Sequence, residues 1–262
     1  HAERLEFLQQ YPKLIEKRDD LVLEEITLLN QVGKYIQAKR KLDAHIFHPW
    51  EGGEGKVPAQ YQICRVEMAK QNIAEGKYKC AVGLLKQCLT YPHHLGEGKL
   101  YGAQENDFYY LLGVAYDALG KTDEAKECWE KAVLGPQEPA AAMYYNDAKP
   151  DKIFYQGMAL RKLGREDEAH GRFYRLINYG KQHVFEHQTM DYFAVSLPDL
   201  LIWDDSLDTK NVIHCKYMLA LGYCGMGDMK HALKYLAEVE ALDNNHQGAQ
   251  QLRSFIELRL LP

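Results

Sequence analysis

The 262-residue chain has few of the features that would give a protein's function away. It has no basic excess: its net charge is −5, which provides no electrostatic footprint for nucleic acid. It contains no apolar run near the roughly 18–20 residues needed to span a membrane, and no signal peptide at its start. Its first residues are His1-Ala2-Glu3, which reads as a fragment with a tag remnant whose natural polypeptide extends upstream. The six cysteines form no CxxC pair and no zinc-finger spacing with histidine. They fall inside helical patterns, which predicts free thiols acting as small core hydrophobes in a reducing, cytoplasmic setting. Nothing in the sequence implies a cofactor or a metal.

A phosphate loop is absent too, although the tetrapeptide GEGK occurs twice, at 53–56 and 96–99. The nucleotide-binding signature needs Gly five residues before the Gly-Lys and Ser or Thr after it. Trp50 and His93 hold the first of those positions, and Val57 and Leu100 hold the last. The spacing of 43 is better read as a structural period.

The period is visible in what the chain does have. In 106–135, Tyr109, Leu112, Ala115, Tyr116 and Leu119 form one helical stripe. Gly120 ends that helix, Thr122 and Asp123 are expected at the next cap, and Ala125, Cys128, Trp129, Ala132 and Val133 form a second stripe. Gly113 and Ala125 are small where the two helices must approach closely. Turn glycines recur at 33, 76, 120, 164 and 227, in steps of 43, 44, 44 and 63.

The residues Tyr109, Leu112-Gly113, Tyr116, Ala125, Trp129 and Ala132 resemble the tetratricopeptide repeat. That resemblance implies an all-α, right-handed α-solenoid: about five helix pairs in one domain over 1–262, near 20–46, 59–91, 106–135, 151–180 and 211–243. A capping helix is expected at 246–259. The family's unit is about 34 residues, so roughly ten extra residues separate these units and about thirty precede the last.

Insertions in a solenoid tend to emerge on one face, often the binding face. The candidate binding residues are therefore Trp50, Glu51 and Glu54; Glu97, Tyr101, Glu105 and Asp107; and Tyr145 and Asp147. Aromatic rings beside carboxylates suit a sugar, and two carboxyls across a sugar can form an acid/base pair. In the competing reading the acids cap helices, Trp50 and Trp203 fill gaps between units, and the histidines bond loop backbone. The stretch His183-x-x-Glu186-His187 formally matches an inverted zincin motif, with no flanking signature to support it.

The resemblance also implies a concave groove, here apolar and aromatic, with Tyr110, Phe154, Met158 and Tyr217 among its lining. The Lys/Asn pair that clamps a terminal carboxylate in part of the family is incomplete, so an apolar peptide, a helix or another domain suits the groove better. The stretches FHPWEGGEGKV, LGEGKLYGAQEND, YYNDAKPDKIFYQG and DYFAVSLPDLLIWDD resemble the C-terminal helical part of large bacterial proteins. Those proteins carry an uncharacterised, mutarotase-like β-sandwich region upstream. This implies a carbohydrate-related setting and an upstream domain as partner. The expected function is a non-catalytic interaction scaffold that packs against that domain and completes its site. Part of a glycoside-active enzyme, or a plain peptide-binding array, stands as the alternative.

Overall fold

The computed structural model describes residues 1–50, 52–141, 149–189 and 206–261. Among them every regular element is helical. The helices fall into two compact units, His1–Ala103 with the chain's last residues from Leu258, and Gln104–Glu257.

The first unit opens with two short helices, α1 (Ala2–Leu8) and α2 (Pro12–Ile15), which pack on α3. Two hairpins follow: α3 (Asp19–Gln31) with α4 (Tyr35–Ala44), and α5 (Lys56–Ala74) with α6 (Tyr78–Cys88). The second unit holds α7 (Asn106–Ala118) with α8 (Thr122–Val133), α9 (Pro150–Lys162) with α10 (Glu166–His183), and α11 (Leu207–Gly225) with α12 (Met229–Leu242). A last helix, α13, spans Gln247–Glu257. Within each unit consecutive helices pack on one another, as a helical repeat requires.

One turn chemistry joins every pair. Gly33, Gly76, Gly120, Gly164 and Gly227 all sit at φ between +73° and +79°. At each, the glycine N–H donates to the carbonyl three residues back, as in Gly120 to Asp117 at 2.9 Å. The next residue donates to the carbonyl five back, as in Lys121 to Tyr116 at 2.9 Å. These are Schellman closures, which need a left-handed residue and so select glycine. They also correct the expected start of α8. Lys121 holds the N-cap position without a side-chain bond, and Thr122 is already helical.

Small residues set the contact distance inside the pairs. A Cβ on Gly113 would lie 2.2 Å from the Trp129 indole nitrogen, and one on Gly157 would lie 2.4 Å from the Phe173 ring. Buried amides then tie helix ends to their neighbours, Asn106 of α7 within its own pair and Asn211 of α11 across to the pair before it. Asn106 donates to the carbonyls of Ala132 and Leu134, and Asn211 to that of His183. These carbonyls end α8 and α10, where a helix leaves acceptors unsatisfied.

Five cysteines are buried and Cys80 is exposed, so the expectation of core thiols fails at that position. Burial pushes Cys64 and Cys215 up to about 11 and Cys224 to about 12, which keeps them as thiols. Among the described residues no helix is long and apolar enough to cross a membrane.

Candidate functional site

The two GEGK copies meet. The loop leaving α4 and the loop leaving α6 are both in the first unit, and they hold each other. Phe47 N–H donates to the His94 carbonyl at 2.8 Å, and Gly55 N–H donates to the Glu97 carboxylate at 2.8 Å. Gly55 is the N-cap of α5, so Glu97 supplies an anion at a helix N-terminus. Lys99 of the second copy donates to the Leu89 carbonyl at 3.0 Å, and Leu89 is the C-cap of α6. The second copy of the tetrapeptide therefore closes the N-terminus of α5 and the C-terminus of α6.

Three further devices fix the loops. Asp19, in the first turn of α3, accepts from His45 Nε2 at 2.7 Å and from the His48 backbone at 2.8 Å, and lies 3.1 Å from His48 Nδ1. Burial alone would raise the Asp19 carboxyl, but these hydrogen bonds outweigh it and hold the group below its ordinary range. Gly96 packs so closely that a Cβ would sit 2.6 Å from the Phe47 carbonyl oxygen. Gly53 lies under the Trp50 ring, where a Cβ would come within 2.3 Å.

Between the loops lies a cavity of about 360 Å³, lined by His48, Pro49, Trp50, Gly53, Glu54, Val57, Leu95 and Glu97. Val57 and Leu95 are buried and make its apolar floor, and Trp50 packs partly against the core of the unit. Burial raises the Glu97 carboxyl, the Gly55 hydrogen bond lowers it, and the charge of Glu54 raises it again. The net shift is upward, with burial its largest cause, and Glu54 lines the same cavity. An indole face, an imidazole and two carboxylates thus border one pocket.

Of the residues predicted from sequence, Trp50, Glu54 and Glu97 come together here. Tyr101 is fully exposed on the second loop. Glu51, Tyr145 and Asp147 lie outside the described residues, as do Trp203 and most of the last insertion.

Glu105 and Asp107 belong to the second unit. Glu105 is the N-cap of α7. Asp107 pairs with Lys152 on α9 at 2.5 Å, and Asp151 lies 3.5 Å from the same ammonium. Burial works against the charge on Lys152, but the two carboxylates overcome it and hold the ammonium above its ordinary range. Burial also raises the Asp107 carboxyl, against the pull of Lys152, so the contact that ties α7 to α9 rests on its 2.5 Å geometry.

The residues predicted to line a groove are all buried: Tyr110, Phe154, Met158 and Tyr217. Helix α13 lies against three of the four. Its Phe255 ring lies 6.3 Å from Tyr110, 5.9 Å from Phe154 and 5.8 Å from Tyr155. At its other end Gly248 lets the backbone approach Tyr217, where a Cβ would lie 2.8 Å from the phenol oxygen. Ala249, Leu252 and Phe255 form the buried stripe. The expected capping helix thus packs its aromatic end onto α7 and α9 as well as onto α12.

The zincin-like stretch runs off the end of α10 at His183. His183 meets Glu186 at 2.6 Å, while His187 meets Asp208 at 2.9 Å, so the two imidazoles engage different carboxylates. Among the described residues no group of three or more metal-ligating side chains is assembled.

Sequence reasoning missed Asp19 and Gly96. Asp19 reads as an ordinary acidic helix start, and its partners lie 26 and 29 residues away. Residues 107–134, which form α7 and α8, match the family model described as Tetratricopeptide repeat, a repeat that generally mediates protein–protein interaction. No solved structure matches the chain.

Proposed function

We propose that the chain is a non-catalytic helical-repeat interaction scaffold, the helical part of a larger carbohydrate-related bacterial protein of the cytoplasm. In this reading the paired loops of the first unit dock on an upstream domain and help complete its site. One observation carries the proposal: Trp50, Glu54 and Glu97, from two different loops, border one cavity whose walls are pinned by Asp19, Gly96 and the Gly55–Glu97 bond. Support for a loop site over a groove site comes from α13, whose Phe255 lies on the aromatic residues of the groove.

The test is reconstitution. The β-sandwich region of the full-length polypeptide, produced separately, is titrated with this chain by calorimetry. Saturable association that weakens in Trp50→Ala and Glu97→Gln supports the scaffold. Absence of association, or association indifferent to both substitutions, contradicts it.

Two carboxylates on one cavity, Glu54 and Glu97, the latter raised by burial, favour a second reading in which Glu97 donates a proton to a glycoside. The two readings separate on the full-length protein. Glu97→Gln abolishes glycoside turnover if Glu97 is the acid, and leaves turnover in place if the loop only docks.

A further inference from the structure

The walls of the loop cavity carry charge of one sign. Glu54 and Glu97 line it, and neither lysine nor arginine is among its described lining residues. Trp50 supplies an aromatic ring, indole being the best of the ring types for holding a cation, and Val57 and Leu95 supply apolar lining for an aliphatic stem. Both loops also display apolar side chains to solvent. Ile46 is 65% exposed on the first, and Leu100 and Tyr101 are 56% and 108% exposed on the second. Exposed apolar residues on the two loops that form a charged pocket mark a protein surface better than they mark a site for a free ion.

We infer that the Trp50–Glu54–Glu97 cavity receives a basic side chain of a protein partner, an arginine by preference, stacked on the indole and paired with the carboxylates. Arginine fits best because its planar group can lie on the ring while its edge donates to a carboxylate. A lysine would satisfy the charge but not both contacts. The inference rests on the reading of the paired loops as the docking face and adds the chemistry of the anchor.

The experiment is an NMR titration of the labelled chain, following the Trp50 indole N–H and the Gly55 amide. The probes are Nα-acetyl-arginine amide, its neutral isostere Nα-acetyl-citrulline amide, and methyl glucoside. The arginine probe is expected to give saturable shifts at both positions. Citrulline should bind about tenfold more weakly or worse, since it loses a charge-assisted pair. Glu97→Gln keeps an acceptor for Gly55 and should remove the arginine response while leaving the rest of the spectrum in place. Trp50→Phe should weaken the response and keep the fold.

Equal shifts from arginine and citrulline, or no saturable shift at either position, overturn the inference. A response to methyl glucoside without one to arginine also overturns it, but leaves the paired loops standing as a recognition face. The docking reading is decided separately by the β-sandwich titration.

Discussion

The Glu97 carboxylate accepts the backbone N–H of Gly55, 42 residues earlier, at 2.8 Å. This bond stitches the connection after one helical pair to the connection after the next, at the cap of α5. Removing the acceptor in Glu97→Ala should cost about 1 kcal/mol, the usual worth of an N-cap contact. Glu97→Gln retains an oxygen at the same reach and should cost much less. Urea denaturation of the three proteins checks the order. Equal losses in both variants would show that the carboxylate's charge, and not its oxygen, matters at this cap.

Asp19 makes a pH prediction. Its folded carboxyl lies below the ordinary range, so the native state releases this proton more readily than the unfolded chain. The stabilisation is therefore complete above the ordinary carboxylate range and is lost as pH falls through the depressed value. Asp19→Asn, which cannot be ionised, should be less stable than the parent at neutral pH and converge with it in acid. Thermal unfolding of both across the acid range measures this. Parallel curves would remove Asp19 from its role in pinning the loop.

Gly96 combines a left-handed backbone, φ +75°, with a close approach to the Phe47 carbonyl. Gly96→Ala should therefore cost roughly 1–3 kcal/mol of backbone strain, plus the displacement of Phe47. Its effect should spread to the Trp50 indole N–H, since Trp50 lines the cavity next to His48 and Glu97 neighbours Gly96. Gly98→Ala is the control, because a Cβ there meets nothing within 4 Å. Similar losses in both variants, in stability or in the indole shift, would contradict the account.

Phe255 is fully buried against aromatic residues of α7 and α9. Phe255→Ala should cost about 3–5 kcal/mol if the whole helix contributes to the fold as one packed element. Hydrogen exchange should then rise along α13 and around Tyr110 and Phe154. Unchanged protection there would mean that α13 does not hold those residues.

Much of this architecture is legible in the sequence because it follows from local rules. The five turn glycines can be found because a Schellman closure tolerates almost nothing else, and the step between them reports the repeat. Gly113 announces its tight contact for the same reason of size. The loop pocket was half legible. Trp50, Glu54 and Glu97 stand out as odd residues for connectors, but their meeting depends on hydrogen bonds between distant loops, and helical periodicity does not encode those. Asp19 illustrates the point: nothing local distinguishes it from Asp20 beside it. The destination of α13 was hidden as well. Its stripe of Ala249, Leu252 and Phe255 declares an amphipathic helix, but an apolar stripe does not say which partner it will meet. Asp107 stands out in the sequence as an acid beside a connector, but its pairing with Lys152, 45 residues away, has no local signal.

The Gly55–Glu97 bond joins the two loops, and one titration tests it most directly. The Gly55 amide proton should shift with pH along a curve displaced upward from that of an ordinary glutamate, because it reports the raised Glu97 carboxyl. Glu97→Gln should erase that curve. A Gly55 amide that does not respond across the acid range, or one that titrates identically in Glu97→Gln, would mean that the two loops do not meet as described.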